Sequence, residues 1–250
     1  MRNLIIGDIS RILSKKSLWV AFIAALLVNI SMVSFYLFSM NYSSINFVQG
    51  NLDGLTDTGG LVIGIAVFLA VYADDFKSMT LITIIGRGNS RLKVIVVKFI
   101  NSILITLILY ALFVLQVMAL TKAMGIQMPA DERMVLCLGI FRGIYITIGY
   151  VTMAAIVIYA TGNIAFSVFM VVMFYLIIPN VLPLASMLPV LKDIHLERYD
   201  YYGLCSNGLT DIVLGMPATG VAILITAFLI YVGGSLAVIY AVFNKKELDF

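Results

Sequence analysis

The residues with chemical reach in this chain are few. The densest group is the run Gly86-Arg87-Gly88-Asn89-Ser90-Arg91, followed by Lys93 and Lys98. Glycines beside cations and a hydroxyl invite a phosphate-cradling reading. That chemistry needs G-x-x-x-x-G-K-[ST] between a strand and a helix, or G-x-G-x-x-G inside a βαβ unit, so that backbone N–H groups converge on the phosphate. Neither spacing is present and no strand pattern precedes the run. No Walker A motif occurs elsewhere, so the chain is not expected to hydrolyse ATP by itself. His195 is the single histidine and has no Cys, Ser or metal-ligand company at motif spacing. Cys137 and Cys205 form neither a disulfide framework nor a metal pattern and read as plain thiols. Asp74-Asp75 has no second acidic cluster beside it, which favours a capping or salt-bridge role over a metal pair. No catalytic residue, metal or nucleic-acid partner is expected.

The elements that must position these residues are membrane spans. The chain has 250 residues, 62% hydrophobic and 12% charged, with mean hydropathy +1.07. Soluble domains carry about a quarter charged residues. Apolar runs of about 20 residues recur along the whole length, which points to transmembrane helices rather than one buried core. Six spans are expected in a single all-α domain over 1–250: about 17–40, 59–73, 99–121, 135–160, 164–178 and 217–243. Trp19 reads as an interfacial anchor of the first. Residues 41–58 read as a loop, 74–98 as a basic segment, 122–134 as a short charged loop, and Thr161-Gly162-Asn163 as a tight break. Pro179, Pro183 and Pro189 punctuate 179–216. Before the first span, residues 2–16 place Leu4, Ile5, Ile9, Ile12 and Leu13 on one helical face and Arg2, Asp8, Arg11 and Lys15 on the other. That pattern predicts an amphipathic helix in the interface, basic side toward the headgroups. The first apolar run is long enough to span and no small-residue cleavage site follows, so no signal peptide is expected.

Lys and Arg counts set the orientation. With the N-terminus inside, the cytosolic side holds Arg2, Arg11, Lys15, Lys16, Lys77, Arg87, Arg91, Lys93, Lys98, Lys245 and Lys246, eleven of sixteen. Six spans then return the C-terminus to the same side. Buried ionisable groups, the mark of an ion-coupled carrier, are almost absent from the expected spans. Arg142 is the exception; it reads as snorkelling to the outer headgroups, as preceding a span that starts at Gly143, or as contacting anionic lipid or substrate. Asn101, Gln116 and Asn163 are candidates for pairing between helices.

The stretch from Asp75 to Lys98, DFKSMTLITIIGRGNSRLKVIVVK, resembles the signature of ABC-2 type transporter permeases: an acidic residue, a Gly-Thr pair, Gly-x-Ser-Arg, then a Lys opening the third span. Asp75, Thr80, Gly88, Ser90, Arg91 and Lys98 match, and Met79 stands where Gly is usual. The resemblance implies that these residues couple to a separate ATP-binding cassette subunit, which would carry the ATP and Mg, and that a second copy or a related permease completes the transporter. It implies a bacterial cytoplasmic-membrane exporter working by alternating access, of the compact type that moves antimicrobial peptides such as lantibiotics and bacitracin or other amphipathic substrates. It makes 179–216 a re-entrant extracellular hairpin; Arg142, from its position in the fourth span alone, is the one candidate for the substrate path. The residues themselves favour an elbow at the inner membrane surface; the resemblance places both Asp75 and Arg91 there, where opposite charges flanking a Gly-broken helix would pin its angle, with Lys93 on the exposed side. An ion- or proton-coupled carrier and a non-transporting membrane scaffold are the alternatives.

The charge count makes a direct prediction: impermeant thiol reagents on intact cells should leave a Ser14→Cys variant unlabelled, and should modify Cys205 if its loop reaches water. Labelling at position 14 from outside would reverse the orientation.

Overall fold

The computed structural model of the chain describes residues 2–77, 85–86, 88–187 and 196–245. Eight long helices carry the fold, with no strand among the described residues: α1 (Arg2–Leu13), α2 (Lys16–Ser39), α3 (Ser44–Lys77), α4 (Arg91–Met124), α5 (Ala130–Thr161), α6 (Ile164–Ala185), α7 (Tyr201–Val213) and α8 (Pro217–Lys245). Among the described residues six of these, all but α1 and α7, are long and apolar enough to cross a bilayer, the pattern of a multi-pass membrane protein.

The expected span count holds, but several boundaries move. Residues 44–58, read as loop, are the first part of α3. Ser43 caps it by accepting from Asn46 N–H, and Phe47, Val48, Gly50 and Asn51 turn inward, so a polar sequence still buries a helical face. The eight residues before Phe99, read as part of the basic segment, open α4 behind the Ser90 cap. Residues 130–134, read as loop, begin α5, with Asp131 and Glu132 in its first turn where the helix dipole favours anions. The break at Thr161-Gly162-Asn163 is where it was expected, with Asn163 Oδ1 accepting from Phe166 N–H to start α6. That helix then runs on through Pro179 and Pro183 instead of ending at 178. Donors near the prolines supply part of the reason: Asn180 Nδ2 donates to the Leu176 carbonyl at 2.6 Å.

α3 and α5 form the centre of the bundle. Their most apolar stretches are 69% and 56% buried by protein, against 17–33% for the other four spanning helices. The apolar faces of those four, including Val20, Phe38, Leu115, Leu229 and Ile230, lie open as a lipid-facing surface does. Turns of wider π geometry interrupt α3 at Asp53–Thr58 and Leu69–Ala73, α6 at Met173–Ile177 and α8 at Leu229–Gly233. The last three each carry a tyrosine (Tyr72, Tyr175 and Tyr231), which they turn onto other aromatic rings of the bundle.

After α6 the chain folds back as α7, antiparallel to both α5 and α8. Asp200 starts α7 by accepting from Gly203 N–H at 2.7 Å. The Tyr201 ring stacks on Tyr145 with centroids 4.8 Å apart, and its hydroxyl donates to the Tyr145 carbonyl. Tyr145 in turn donates to the Leu224 carbonyl of α8. The Tyr201 ring fills a notch that only glycine leaves open: a Cβ on Gly149 would sit 2.1 Å from its edge. Cys205, one turn along α7, is fully buried by this packing, while Cys137 is exposed. The condition set for modifying Cys205, that its loop reach water, is therefore not met, and the thiol is protected.

Gly149→Ala should evict the Tyr201 ring at a cost of about 1–3 kcal/mol. In purified protein, maleimide labelling of Cys205 should then rise toward the rate of Cys137. Unchanged protection of Cys205 would show that the notch does not hold α7 in place.

Candidate functional site

Asp8, Arg11, Asp75 and Lys98 converge at one end of the bundle, where α1 lies across α3 and α4. The chain turns from α1 into α2 through Ser14 and Lys15, a corner held by Trp19 Nε1 donating to the Leu13 carbonyl and Lys15 Nζ donating to the Ala70 carbonyl. This corner turns the polar face of α1 onto the protein. Asp8 Oδ1 accepts from Arg11 at 2.6 Å, and Asp8 Oδ2 accepts from Lys98 Nζ and Asn101 Nδ2, each at 2.6 Å. Arg11 reaches Asp75 Oδ1 at 2.8 Å, and Lys98 also pairs with Asp75. The four charges close an alternating ring, Asp8–Arg11–Asp75–Lys98, with no net charge. Asp75 is 1% exposed and Lys98 3%. Burial by itself would lower the Arg11 pKa, but the hydrogen bonds and charges of Asp75 and Asp8 outweigh it and hold the guanidinium above its ordinary value. A second pair, Lys15 with Asp74 at 2.7 Å, sits at the more exposed edge.

An aromatic relay leaves this ring. Phe76 meets Tyr159 of α5 edge-on at 5.1 Å, and Tyr159 meets Phe243 of α8 at 5.0 Å. The Arg91 guanidinium lies over Phe243 at 5.4 Å. Arg91 also donates to the Phe243 carbonyl, and to that of Asn244 at 3.1 Å, supplying partners to the last carbonyls of α8. The expected pairing of Asp75 with Arg91 is thus not what the structure contains. Asp75 is engaged by Arg11 and Lys98, Arg91 caps α8, and three rings lie between them. The reason is reach: Asp75 faces α1 and α4 from the end of α3, whereas Arg91, seven residues before Lys98 on α4, points across to α8.

The other sequence candidates divide. Ser90 caps α4, its Oγ accepting from Lys93 N–H. Gly88 makes the preceding turn with φ +83°, a conformation open to glycine, and donates its N–H to the Ile85 carbonyl. Lys93 is half-buried and bonds Asn89 Oδ1 at 2.9 Å. Thr80, with Met79, Arg87 and His195, lies outside the described residues. Asn101 and Gln116 bridge helices, to Asp8 and to the Leu26 carbonyl. Asn163 caps its own helix. Arg142 stands apart from the ring. It is not at a helix start but twelve residues into a continuous α5, partly buried, with its guanidinium 5.5 Å from the Tyr202 ring of α7.

Asn101 pairs between helices as expected, whereas Asp8 and Arg11 are the participants that sequence reasoning placed elsewhere, on a face turned to the headgroups. Their signal was present, since an acid and a base three apart on one helical face form a pair in any helix. What the sequence could not show was that the pair faces two more charges. The expected scarcity of buried ionisable groups in the spans is corrected by Asp75 and Lys98. Comparison of the sequence with protein-family models and with curated proteins finds no match.

Removing two members of the ring should cost less than the sum of removing each alone. Asp75→Asn leaves two cations to share Asp8, and breaking a buried pair in this way costs about 3–5 kcal/mol. Thermal unfolding in detergent should show Asp75→Asn and Lys98→Gln each strongly destabilised and their combination less so than the sum. Asp74→Asn, at the exposed edge, should cost about 0–1 kcal/mol. Strict additivity of the two ring substitutions would mean the charges act independently.

Proposed function

We propose that this chain is the membrane permease subunit of an ATP-driven ABC-2 type exporter in the bacterial cytoplasmic membrane, with both termini in the cytosol. The observation that carries the reading is mechanical. The segment between Lys77 and Arg91 is anchored on both sides, by the ion ring at Asp75 and by the Arg91 cap on α8, and the aromatic relay joins the two anchors. Force applied to that segment by a soluble partner would be shared by the ends of α1, α3, α4, α5 and α8 together. A separate ATP-binding cassette subunit, holding ATP and Mg, would supply the force, and a second copy or related permease would supply the other wall of the pathway. The substrate class is an antimicrobial peptide or another amphipathic molecule.

One observation favours the ion-coupled alternative: ionisable residues buried in spanning helices are functional by default. Against it, the charges of the ring balance one another, and each carboxylate is held by two cations of the protein itself.

Arg91→Ala should release the ATPase or uncouple its hydrolysis from export, because the end of α8 loses its tie to the elbow, whereas Lys93→Ala should do little. Co-purification of the ATPase and substrate-stimulated hydrolysis in lipid read both. Wild-type behaviour of Arg91→Ala, or export driven by a proton gradient without ATP, would sink the reading.

A further inference from the structure

A groove of about 150 Å3 runs between α2 and α3 at the end of the bundle that holds the ion ring. Ser17 and Ala21 of α2 and Ala66 and Ala70 of α3 are short side chains that leave it open, and Val62 and Leu69 add longer apolar walls. Most of the apolar stretch of α3 is enclosed by protein, so Leu69, 39% exposed, marks a place where this helix comes to the lipid surface. Among the described lining residues Ser17 is the one polar side chain, and it sits where α2 begins. The lip at that end is positive. Every carboxylate beside it is already held by cations of the protein: Asp8 and Asp75 by Arg11 and Lys98, and Asp74 by Lys15. Lys16 and Lys77 are both exposed and make no ion pair among the described residues. Lys16 directly precedes Ser17, and Lys77 lies one turn beyond Asp74 on α3.

Charge and polarity narrow the occupant. The groove is apolar along its length and cationic at one end, the complement of an acyl chain with an anionic head. A second copy of the chain fits poorly, because a two-fold contact would bring this patch onto itself and set Lys16 and Lys77 against like charges. A peptide backbone would bring N–H and C=O groups into walls with almost nothing to bond them. A neutral lipid would leave both lysines unanswered. We propose that the groove holds one acyl chain of an anionic phospholipid from the surrounding leaflet. Its phosphate pairs with Lys16 and accepts from the Ser17 hydroxyl, Lys77 adds attraction across the headgroup, and the second acyl chain stays in the bilayer. The same lip carries the corner in which Lys15 donates to the Ala70 carbonyl, and the wide turn of α3 begins at Leu69. A lipid seated here ties α2 to α3 beside the corner that turns α1 onto the ring, so the stability of the ring follows the charge of the leaflet. No partner subunit takes part, and the inference stands or falls separately from the export reading.

The test is thermal unfolding and native mass spectrometry of the purified full-length chain in a neutral detergent, with phosphatidylglycerol or phosphatidylcholine added. Phosphatidylglycerol should raise the unfolding temperature and remain as a bound adduct, phosphatidylcholine should do much less, and inorganic phosphate should neither stabilise nor compete. Lys16→Gln combined with Lys77→Gln should weaken phosphatidylglycerol binding roughly fivefold per lysine and remove the preference over phosphatidylcholine. Ala21→Phe should fill the groove and abolish the retained adduct with both lysines in place. The lysine variant, altered only at exposed positions, keeps the test decisive if Ala21→Phe assembles poorly. Equal stabilisation by phosphatidylcholine, or an undiminished preference in the lysine variant, would overturn the proposal. So would a full effect of inorganic phosphate, which would leave an anion site without a groove, or equal competition by a free fatty acid. Disulfide-linked dimers of an Ala21→Cys variant, formed in detergent and not displaced by phosphatidylglycerol, would assign the groove to a second copy instead.

Discussion

Asp75 and Lys98 are buried at the end of the bundle beside the partly exposed Asp8 and Arg11, and the four charges neutralise one another only together. Moving a single carboxylate or ammonium out of water costs several kcal/mol even after the protein relaxes, and neither α3 nor α4 supplies its own neutralisation within the ring. Asp75 comes from α3, Lys98 from α4, and Asp8 and Arg11 from α1. The ring is therefore an assembly condition. α3 and α4 cannot bring Asp75 and Lys98 together at this depth at full stability until α1 has folded over them, and α1 cannot turn its polar face inward unless both are in place. The corner at Lys15 and Trp19 makes that docking geometrically short, since it carries α1 directly back from the start of α2.

The rest of the bundle is held by a different rule. Between helices in lipid there is little hydrophobic driving force, so close packing and satisfied polar groups decide which faces meet. The Tyr110, Thr147 and Tyr175 hydroxyls bond in series across α4, α5 and α6, and Tyr145 and Tyr201 bond to carbonyls of neighbouring helices. Wide turns let some of these contacts form. An extra residue in a helical turn shifts the phase of everything after it, and three such turns carry the tyrosines that pack against neighbouring rings. The architecture thus uses charges at one end and phenols through the middle to tie neighbouring helices together.

Composition and period made the class and the number of spanning helices legible, because a run of about 20 apolar residues has few alternative fates. Boundaries were less legible where burial overrode polarity. Residues 44–58 look like a loop until Gly50 and Gly54 are seen pressed against the backbone of α2. The prolines of α6 look like terminators until side-chain and wide-turn bonding is counted. At the ring, Asp75 and Lys98 carried a visible pattern, and the pairing role read for Asp74-Asp75 matches the ion pairs each makes. Their partners on α1 did not stand out, because an amphipathic helix looks the same whether its polar face meets headgroups or other charges.

That ambiguity explains why the direct Asp75–Arg91 contact was the natural expectation and why a relay replaces it. Two opposite charges flanking a short turn would hold it shut by one screened, adjustable bond. Instead each is fixed to a different helix, and Phe76, Tyr159 and Phe243 fill the space between them at centroid separations of 5.0–5.1 Å. Packed rings resist compression far better than a single ion pair resists stretching, because interiors at close-packed density have no free volume to give up. A displacement at Arg91 is then passed to α8 through two carbonyl bonds, and through the rings to α5 and α3. The ion ring carries it on to α1 and back to α4. Under the proposed function this is the property the elbow needs: a part that moves as a block, in which neither anchor can yield without leaving a buried charge or a helix end without its partner.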